Sequence, residues 1–353
     1  MKDVFIGAFN CSVSNMSNSS SGAGTKVQCE IIKVLANNST SLESLILQEE
    51  KTWPYGDFFI KGKRIGDIVF LPMVNLFILK KLFFSLYVFI YLSVNNHRRV
   101  FFYNTSSFMN IFMFFLKLFK KKQLKILIIQ DLHVPKSLRL ISIYRLDKII
   151  EYYSYKLTKY SFDYFVPITK QLGCHLELPK ERTFPFLGGS VLNFNDEKKQ
   201  INENKIAVFA GALEKYNGVD YLLDCWVKSD IQMEINIFGS GSLSAYVESL
   251  SKKNNKIIFH GFKPPDLVND YIKSASVNFC LRYSRDIDEE FFFPSKFFDV
   301  IGSPGIVVCN NFMNIPHDLK KYIYFVKNDL SDLSLIVSNV CSLSSFHESR
   351  IDI

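Results

Sequence analysis

Arg282, Ser295, Lys296 and Asp299 are the residues of this 353-residue chain whose types and spacing best suit chemistry. They share one stretch, RYSRDIDEEFFFPSKFFDVIGSPGIVVCN, from Arg282 to Asn310. Pro294 suits the approach to a helix, Ser295 is a favoured N-cap, and Lys296 falls in the first turn, where backbone N–H groups already attract an anion. Asp299 lies one turn beyond Ser295 on the same side, which suits a carboxylate taking hydrogen bonds from hydroxyl groups beside a bound phosphate. A capped surface helix behind a solvated acidic loop uses the same residues. A second group, Gln130-Asp131-Leu132-His133, follows an apolar run, and ligands of open α/β sheets collect beyond the carboxyl ends of strands. Asp131 and His133 are candidates there, although a histidine after a strand also serves as an ordinary loop residue.

The elements that must position these groups alternate. Strands are expected at Val4–Phe9, Leu45–Leu47, Ile68–Leu71, Val100–Tyr103, Leu124–Ile129 and Tyr164–Ile168, with helices at Lys26–Asn37 and Leu146–Tyr160. Between the first strand and helix stands Ser21-Gly22-Ala23-Gly24-Thr25. Strand, glycine loop and helix cradle a phosphate when the loop lies at the strand's carboxyl end; Gly22 and Gly24 fit neither the dinucleotide fingerprint nor the P-loop, and a plain turn accounts for them equally. Leu187 to Glu203 is polar and punctuated by glycine, as a linker is. Beyond it strands at Lys205–Ala210, Met233–Phe238, Lys256–His260, Val277–Arg282 and Ile306–Cys309 are separated by helices at Gly218–Lys228, Leu243–Lys252, Pro265–Ala275 and Ser295–Ile301, the pattern of a doubly wound parallel sheet. Gly211, Gly239, Gly241 and Gly261 stand where strands hand over to loops. The expected organisation is an N-terminal domain over 1–190, a linker over 191–204 and a C-terminal domain over 205–353.

The formal net charge of +8 is spread along the chain, and no aromatic-basic pattern or DNA-reading motif accompanies it, so nucleic acid is not an expected partner. Seven scattered cysteines without a Cys-x-x-Cys pair argue for a reducing compartment and against structural zinc. Val4 to Phe9 is expected to be a first strand, not the core of a signal peptide. Ile68 to Val94 is long enough to span a bilayer, but Pro72, Asn75, Lys80 and Lys81 interrupt it, and lysines at mid-span cost about 2.5 to 3.5 kcal/mol each. Phe108 to Lys122, apolar and then abruptly basic, suits a helix lying on an anionic membrane surface; a domain helix with lysines at its C-terminus is the other reading.

From Lys205 to Asn310 the ordered set Gly211, Leu213 and Gly218, then Gly239 and Gly241, then Phe259 and Gly261, then Arg282 and the P-S-K-F-F-D of Pro294 to Asp299 resembles the retaining glycosyltransferases of family four. FFYNTSS, Phe101 to Ser107, is similar to a feature of the subset that has this Arg and P-S-K helix. The resemblance implies the GT-B fold, two Rossmann-like domains facing a cleft, with a nucleotide-sugar donor, UDP- or GDP-linked, on the second and a saccharide or polyprenyl-linked acceptor on the first. It implies no metal and no other cofactor. Arg282 and Lys296 would hold the diphosphate, helped by Ser295 and by Gly22 and Gly24; Asp299 would bind the donor ribose; Asp131 or His133 would face the reacting sugar. Gly211, Lys215, Gly239 and Glu290 complete the expected donor site. A cytoplasmic enzyme of surface-polysaccharide synthesis, peripheral at the inner face of the membrane, is the implied setting.

The chain departs from the family pattern. Ala212 stands where an Arg is usual and Asn217 where a Lys is usual, so Lys215 and Arg285 are expected to supply charge. Asp299 replaces Glu, Glu290 stands one residue farther from it than the usual spacing, and Pro304 and Ile306 replace Gly and Pro. Little chain follows Ser345 for a helix returning to the first domain. Three other readings compete: a metal-binding D-x-D at Asp286 and Asp288 in the other glycosyltransferase fold, a sugar-nucleotide epimerase, and a catalytically silent sugar-nucleotide-binding scaffold.

Overall fold

The computed structural model describes residues 2–9, 22–119, 123–130, 132, 143–189, 205–229, 231–283 and 290–342. Asp131, His133, Arg285 and the D-x-D of 286–288 lie outside them. The chain separates into two compact units, Met1–Leu187 with Glu290–Phe292, and Gly188–Glu289 with Phe293–Ile353.

The first unit contains β1 (Lys2–Phe9), β2 (Leu42–Gln48), β3 (Phe59–Ile60), β4 (Lys63–Ile65), β5 (Ile68–Phe70), β6 (Met73–Val74), β7 (His97–Tyr103), β8 (Leu124–Ile129) and β9 (Tyr164–Pro167). Its helices are α1 (Gly22–Asn37), α2 (Leu79–Val94), α3 (Ser107–Phe119), α4 (Ile143–Tyr155), α5 (Thr158–Ser161) and α6 (Lys170–His175). One sheet runs β4-β5-β2-β1-β7-β8-β9, and β3 and β6 form a separate antiparallel ribbon. Only β4 is antiparallel within the sheet; the six parallel strands follow the order 3-2-1-4-5-6. Strand β1 is buried along nearly all its length, as an unbroken apolar run should be when helices cover both faces.

Two expectations for this unit need correction, and a third, that Ile68 to Val94 does not span a membrane, agrees with the fold. Helix α1 begins at Gly22, so Gly22 and Gly24 belong to its first turn and not to a loop. The helix expected from Leu146 to Tyr160 is two: Lys156 and Leu157 donate three residues back, to Tyr153 and Ser154, and Thr158 Oγ1 donates to the Tyr155 carbonyl, which tightens the turn and ends α4. The stretch from Ile68 to Val94 is divided among β5, β6 and α2, and no helix of the described residues is long and apolar enough to cross a membrane. Lys81 there is ion-paired to Asp147 and Glu151 of α4, at 2.5 and 3.4 Å.

The second unit contains β10 (Ile206–Ala210), β11 (Glu234–Phe238), β12 (Ile257–Gly261), β13 (Val277–Cys280), β14 (Ile306–Asn310) and β15 (Ile323–Val326), with α7 (Val219–Lys228), α8 (Ser244–Lys253), α9 (Pro265–Ser274), α10 (Lys296–Ile301) and α11 (Leu333–Ser342). Its sheet runs β12-β11-β10-β13-β14-β15, parallel throughout, again 3-2-1-4-5-6. Val219, Leu222, Leu223 and Trp226 line one face of α7 and join Phe209, Ile235, Ile237 and Phe279 in the core. Helices α7 and α8 show the expected 3.6-residue period; β15 and α11 were not anticipated.

Candidate functional site

In the second sheet the strand order reverses between β10 and β13, which are hydrogen-bonded neighbours. The chain leaves β10 at Gly211 and β13 toward Arg282, so both loops emerge beside the position where such sheets bind ligands. Arg282 is held at three places. Its backbone N–H donates to Asn310 Oδ1 at 2.8 Å and its carbonyl accepts from Asn310 Nδ2 at 2.6 Å, so one side-chain amide takes both bonds that a further strand residue would make. Its guanidinium donates to Asn217 Oδ1 at 2.9 Å and lies 4.8 Å from the centroid of the Tyr216 ring, a cation–π contact. Asn217 is itself fixed, donating to the Ala212 carbonyl at 2.8 Å. Tyr216 has its hydroxyl pKa raised, chiefly by burial, against the opposing charge of Arg282.

The glycines build this corner by letting backbone meet backbone. Gly239 has φ +136°, and a Cβ there would lie 1.8 Å from the Gly211 carbonyl oxygen. Gly218 has φ +66°, and a Cβ there would strike the Tyr283 ring, whose backbone N–H bonds the Tyr216 carbonyl. Gly239 and Gly218 thus hold loops together; Gly211 faces open space. Lys215 is exposed in the short turn Lys215–Asn217.

Ser295 precedes α10 in helical backbone conformation and makes no side-chain cap, which corrects its expected capping role. Lys296 and Asp299, expected to meet a diphosphate and a ribose, form an ion pair at 3.3 Å, with side chains about 31% and 16% exposed. Glu290 groups with the first unit. Its carbonyl accepts from Thr169 Oγ1 at 2.6 Å, and it lines an open depression of about 580 Å³ with Lys170, Gln171, Cys174 and His175.

In the first sheet the order reverses between β1 and β7. Gln28 of α1 brackets the end of β1, accepting from the Ala8 N–H at 3.0 Å and donating to the Ala8 carbonyl at 2.7 Å; a Cβ on Gly7 would occupy its place. Gln28 Nε2 also reaches the Gly24 carbonyl at 3.4 Å, so the same side chain links the start of α1 to the strand's carboxyl end. After β7, Thr105 Oγ1 donates to Asn110 Oδ1 at 2.6 Å, Asn110 Nδ2 to Ser154 Oγ at 2.9 Å, and Tyr155 Oη accepts from the Thr105 N–H at 2.7 Å. Asn104 Oδ1 accepts from the Gln130 N–H, tying this loop to the strand end that leads to Asp131. Asn310 and this buried polar network were missed in the sequence. Asn310 and Thr105 stand at the ends of apolar runs, whereas Asn110, Ser154 and Tyr155 lie within α3 and α4 and carry no such signal.

Residues 193–292 match the family model of the glycosyl transferases group 1. No curated protein sequence matches the chain. Among solved structures, WaaG, a glycosyltransferase involved in lipopolysaccharide biosynthesis, is similar with a TM-score of 0.63 and 12% identity over 98% of this chain and 92% of its own. Anabaena Alr3699/HepE in complex with UDP and glucose gives 0.62 and 12%, over 98% and 91%. The lipopolysaccharide outer core galactosyltransferase WaaB in its apo form gives 0.60 and 13%, over 96% and 90%. At these identities the likeness is one of fold.

Proposed function

For a chain of GT-B fold whose second unit carries the glycosyl transferases group 1 segment, we propose a retaining glycosyltransferase that works without a metal. It moves a sugar from a UDP- or GDP-linked donor to a saccharide or polyprenyl-linked saccharide, in bacterial surface-polysaccharide synthesis. The observation that carries the reading is the setting of Arg282 beside the strand-order reversal, with its backbone on Asn310 and its guanidinium on Asn217 and Tyr216. As the sugar departs, negative charge grows on the nucleoside diphosphate, and cations fixed beforehand stabilise it without reorganising. Arg282 and Lys296 take that task, Asp299 the donor ribose, and Asp131 or His133 the reacting sugar. That HepE is solved with UDP and glucose supports a nucleotide sugar as the donor.

The membrane role rests on α2 and α3. Helix α3 buries Ser107, Met109, Asn110, Met113 and Leu116 and leaves Ile111, Phe114, Phe115, Leu118 and Phe119 exposed. Phe83, Leu86, Tyr87 and Ile90 of α2 are exposed as well. An apolar helical surface next to a basic segment fits peripheral attachment at the cytoplasmic face.

Incubation with a panel of nucleotide sugars and lipid-linked acceptors, with and without EDTA, tests the reading. Transfer should survive chelation, and Arg282→Ala and Lys296→Ala should each lower turnover about 100-fold. Near-normal turnover in both variants would remove the diphosphate assignment; donor binding without transfer or hydrolysis by the unaltered protein would point to the silent scaffold.

A further inference from the structure

The loop between β2 and β3, with the first residue of β3, displays four large aromatic side chains to solvent. Trp53 is 52% exposed, Tyr55 85%, Phe58 53% and Phe59 52%. Such rings usually seek burial, and the loop is built to keep these out. Asn75, fully buried, donates from Nδ2 to the carbonyls of Lys51 at 2.7 Å and Asp57 at 2.9 Å; its backbone N–H bonds the Phe58 carbonyl and its own carbonyl accepts from the Trp53 N–H. Gly56 packs so closely on Lys51 that a Cβ would lie 2.0 Å from the Lys51 carbonyl oxygen. Trp53 and Phe58 meet edge to face, with centroids 6.2 Å apart. One buried side chain therefore fixes both ends of the loop and the rings it carries.

Place and chemistry narrow the occupant. The loop leaves the carboxyl end of β2, where Glu49 donates its N–H to the Phe9 carbonyl at the end of β1, on the edge where open α/β sheets bind ligands. Glu50 and Asp57 flank the rings along the chain, with Lys51 beside them; the Glu50 carboxylate accepts from Gln48 Nε2, and Lys80 Nζ donates to the Glu50 carbonyl at 3.3 Å. Carboxylates oppose an anionic lipid surface but accept hydrogen bonds from hydroxyl groups. Helix α3, by contrast, has no acidic residue. A pyranose has one face of C–H bonds, which suits the negative face of an aromatic ring, and a rim of hydroxyls, which suits carboxylates.

We propose that Trp53, Tyr55 and Phe58, with Glu50 and Asp57, form an acceptor subsite that stacks the sugar rings of a saccharide. The acceptor's glycan, and not its lipid, is what this loop grips. The assignment rests on the glycosyltransferase reading for its purpose, and on the loop alone for its ligand.

Of the two tryptophans, Trp226 is 1% exposed, so acrylamide quenches Trp53 selectively in the full-length protein. A panel of glucose-, galactose- and N-acetylglucosamine-based oligosaccharides and lipopolysaccharide core oligosaccharide should include one that shields Trp53. Tyr55→Ala and Phe58→Ala should each weaken that binding about 2- to 10-fold, while Trp226 stays inaccessible to acrylamide as evidence of folding. Failure of the whole panel at saturating concentrations, or shielding by phosphatidylglycerol vesicles with none by oligosaccharide, would overturn the subsite. UDP binding measured on the same samples separates the cases: UDP bound without oligosaccharide shielding sinks the subsite and leaves the donor assignment standing. Shielding without UDP binding does the reverse.

Discussion

Asn310 supplies with its side chain the next rung of a ladder whose backbone rungs end at Cys280 and Cys309. Replacing it by Ala leaves the Arg282 N–H and carbonyl without these partners, a loss of about 1 to 3 kcal/mol. Asn310→Ala should therefore lower the midpoint of thermal unfolding and weaken UDP binding together. Asn310→Asp keeps an acceptor for the Arg282 N–H but sets a carboxylate against its carbonyl, and should recover none of the UDP affinity. Gly239→Ala should be harsher, about 3 kcal/mol or more, because φ +136° disfavours any side chain and the Gly211 carbonyl fills the space; urea unfolding measures it. Sequence comparison counts Asn217 as a missing cation. The structure shows why that accounting is incomplete: Asn217 holds the guanidinium of Arg282, and a side-chain contact between residues far apart in the chain leaves no trace in either one's neighbours.

The strands were legible because helices cover both sheet faces, so that β1, β8, β10 and β14 are nearly unbroken apolar runs. Breaks in helices and the β3–β6 ribbon were not, since three-residue hydrogen bonds and a two-rung pairing carry no periodicity. Within β8, Lys125 occupies a fully buried position. Burial draws its pKa down to about 8, Lys117 adds to that shift, and Asp163 opposes it. Its unfolded value is near 10.4. Below about 8 both states carry the proton and the burial penalty is complete; between there and about 10.4 only the unfolded chain stays protonated, so this group makes stability rise with pH. Lys125→Met should raise the unfolding midpoint at pH 7 and flatten the rise from pH 8 to 10, as thermal melts across that range would record. A variant whose pH profile ran parallel to that of the unaltered protein would contradict this.

On the proposed membrane-peripheral reading, the charge of +8 and the exposed apolar side chains of α2 and α3 would act together. Sedimentation with phosphatidylglycerol vesicles should fall as salt shortens the screening length from about 10 Å at 0.1 M to about 3 Å at 1 M, while Phe115→Ser with Phe119→Ser should weaken it at every salt concentration. The division into two doubly wound units was visible in the chain's alternation of runs and helices, but the strand order was not, because pairing partners are distant. That order has a temporal side. Val4 pairs with Val100, and Ala207 with Val277, so in each unit the central strand is synthesised first and its second neighbour only after other strands have been made. Contacts of such long range slow folding. A nascent chain must carry Val4 to Phe9 uncovered on one edge until the ribosome has delivered β7, and an apolar strand edge left open for that interval is exposed to aggregation.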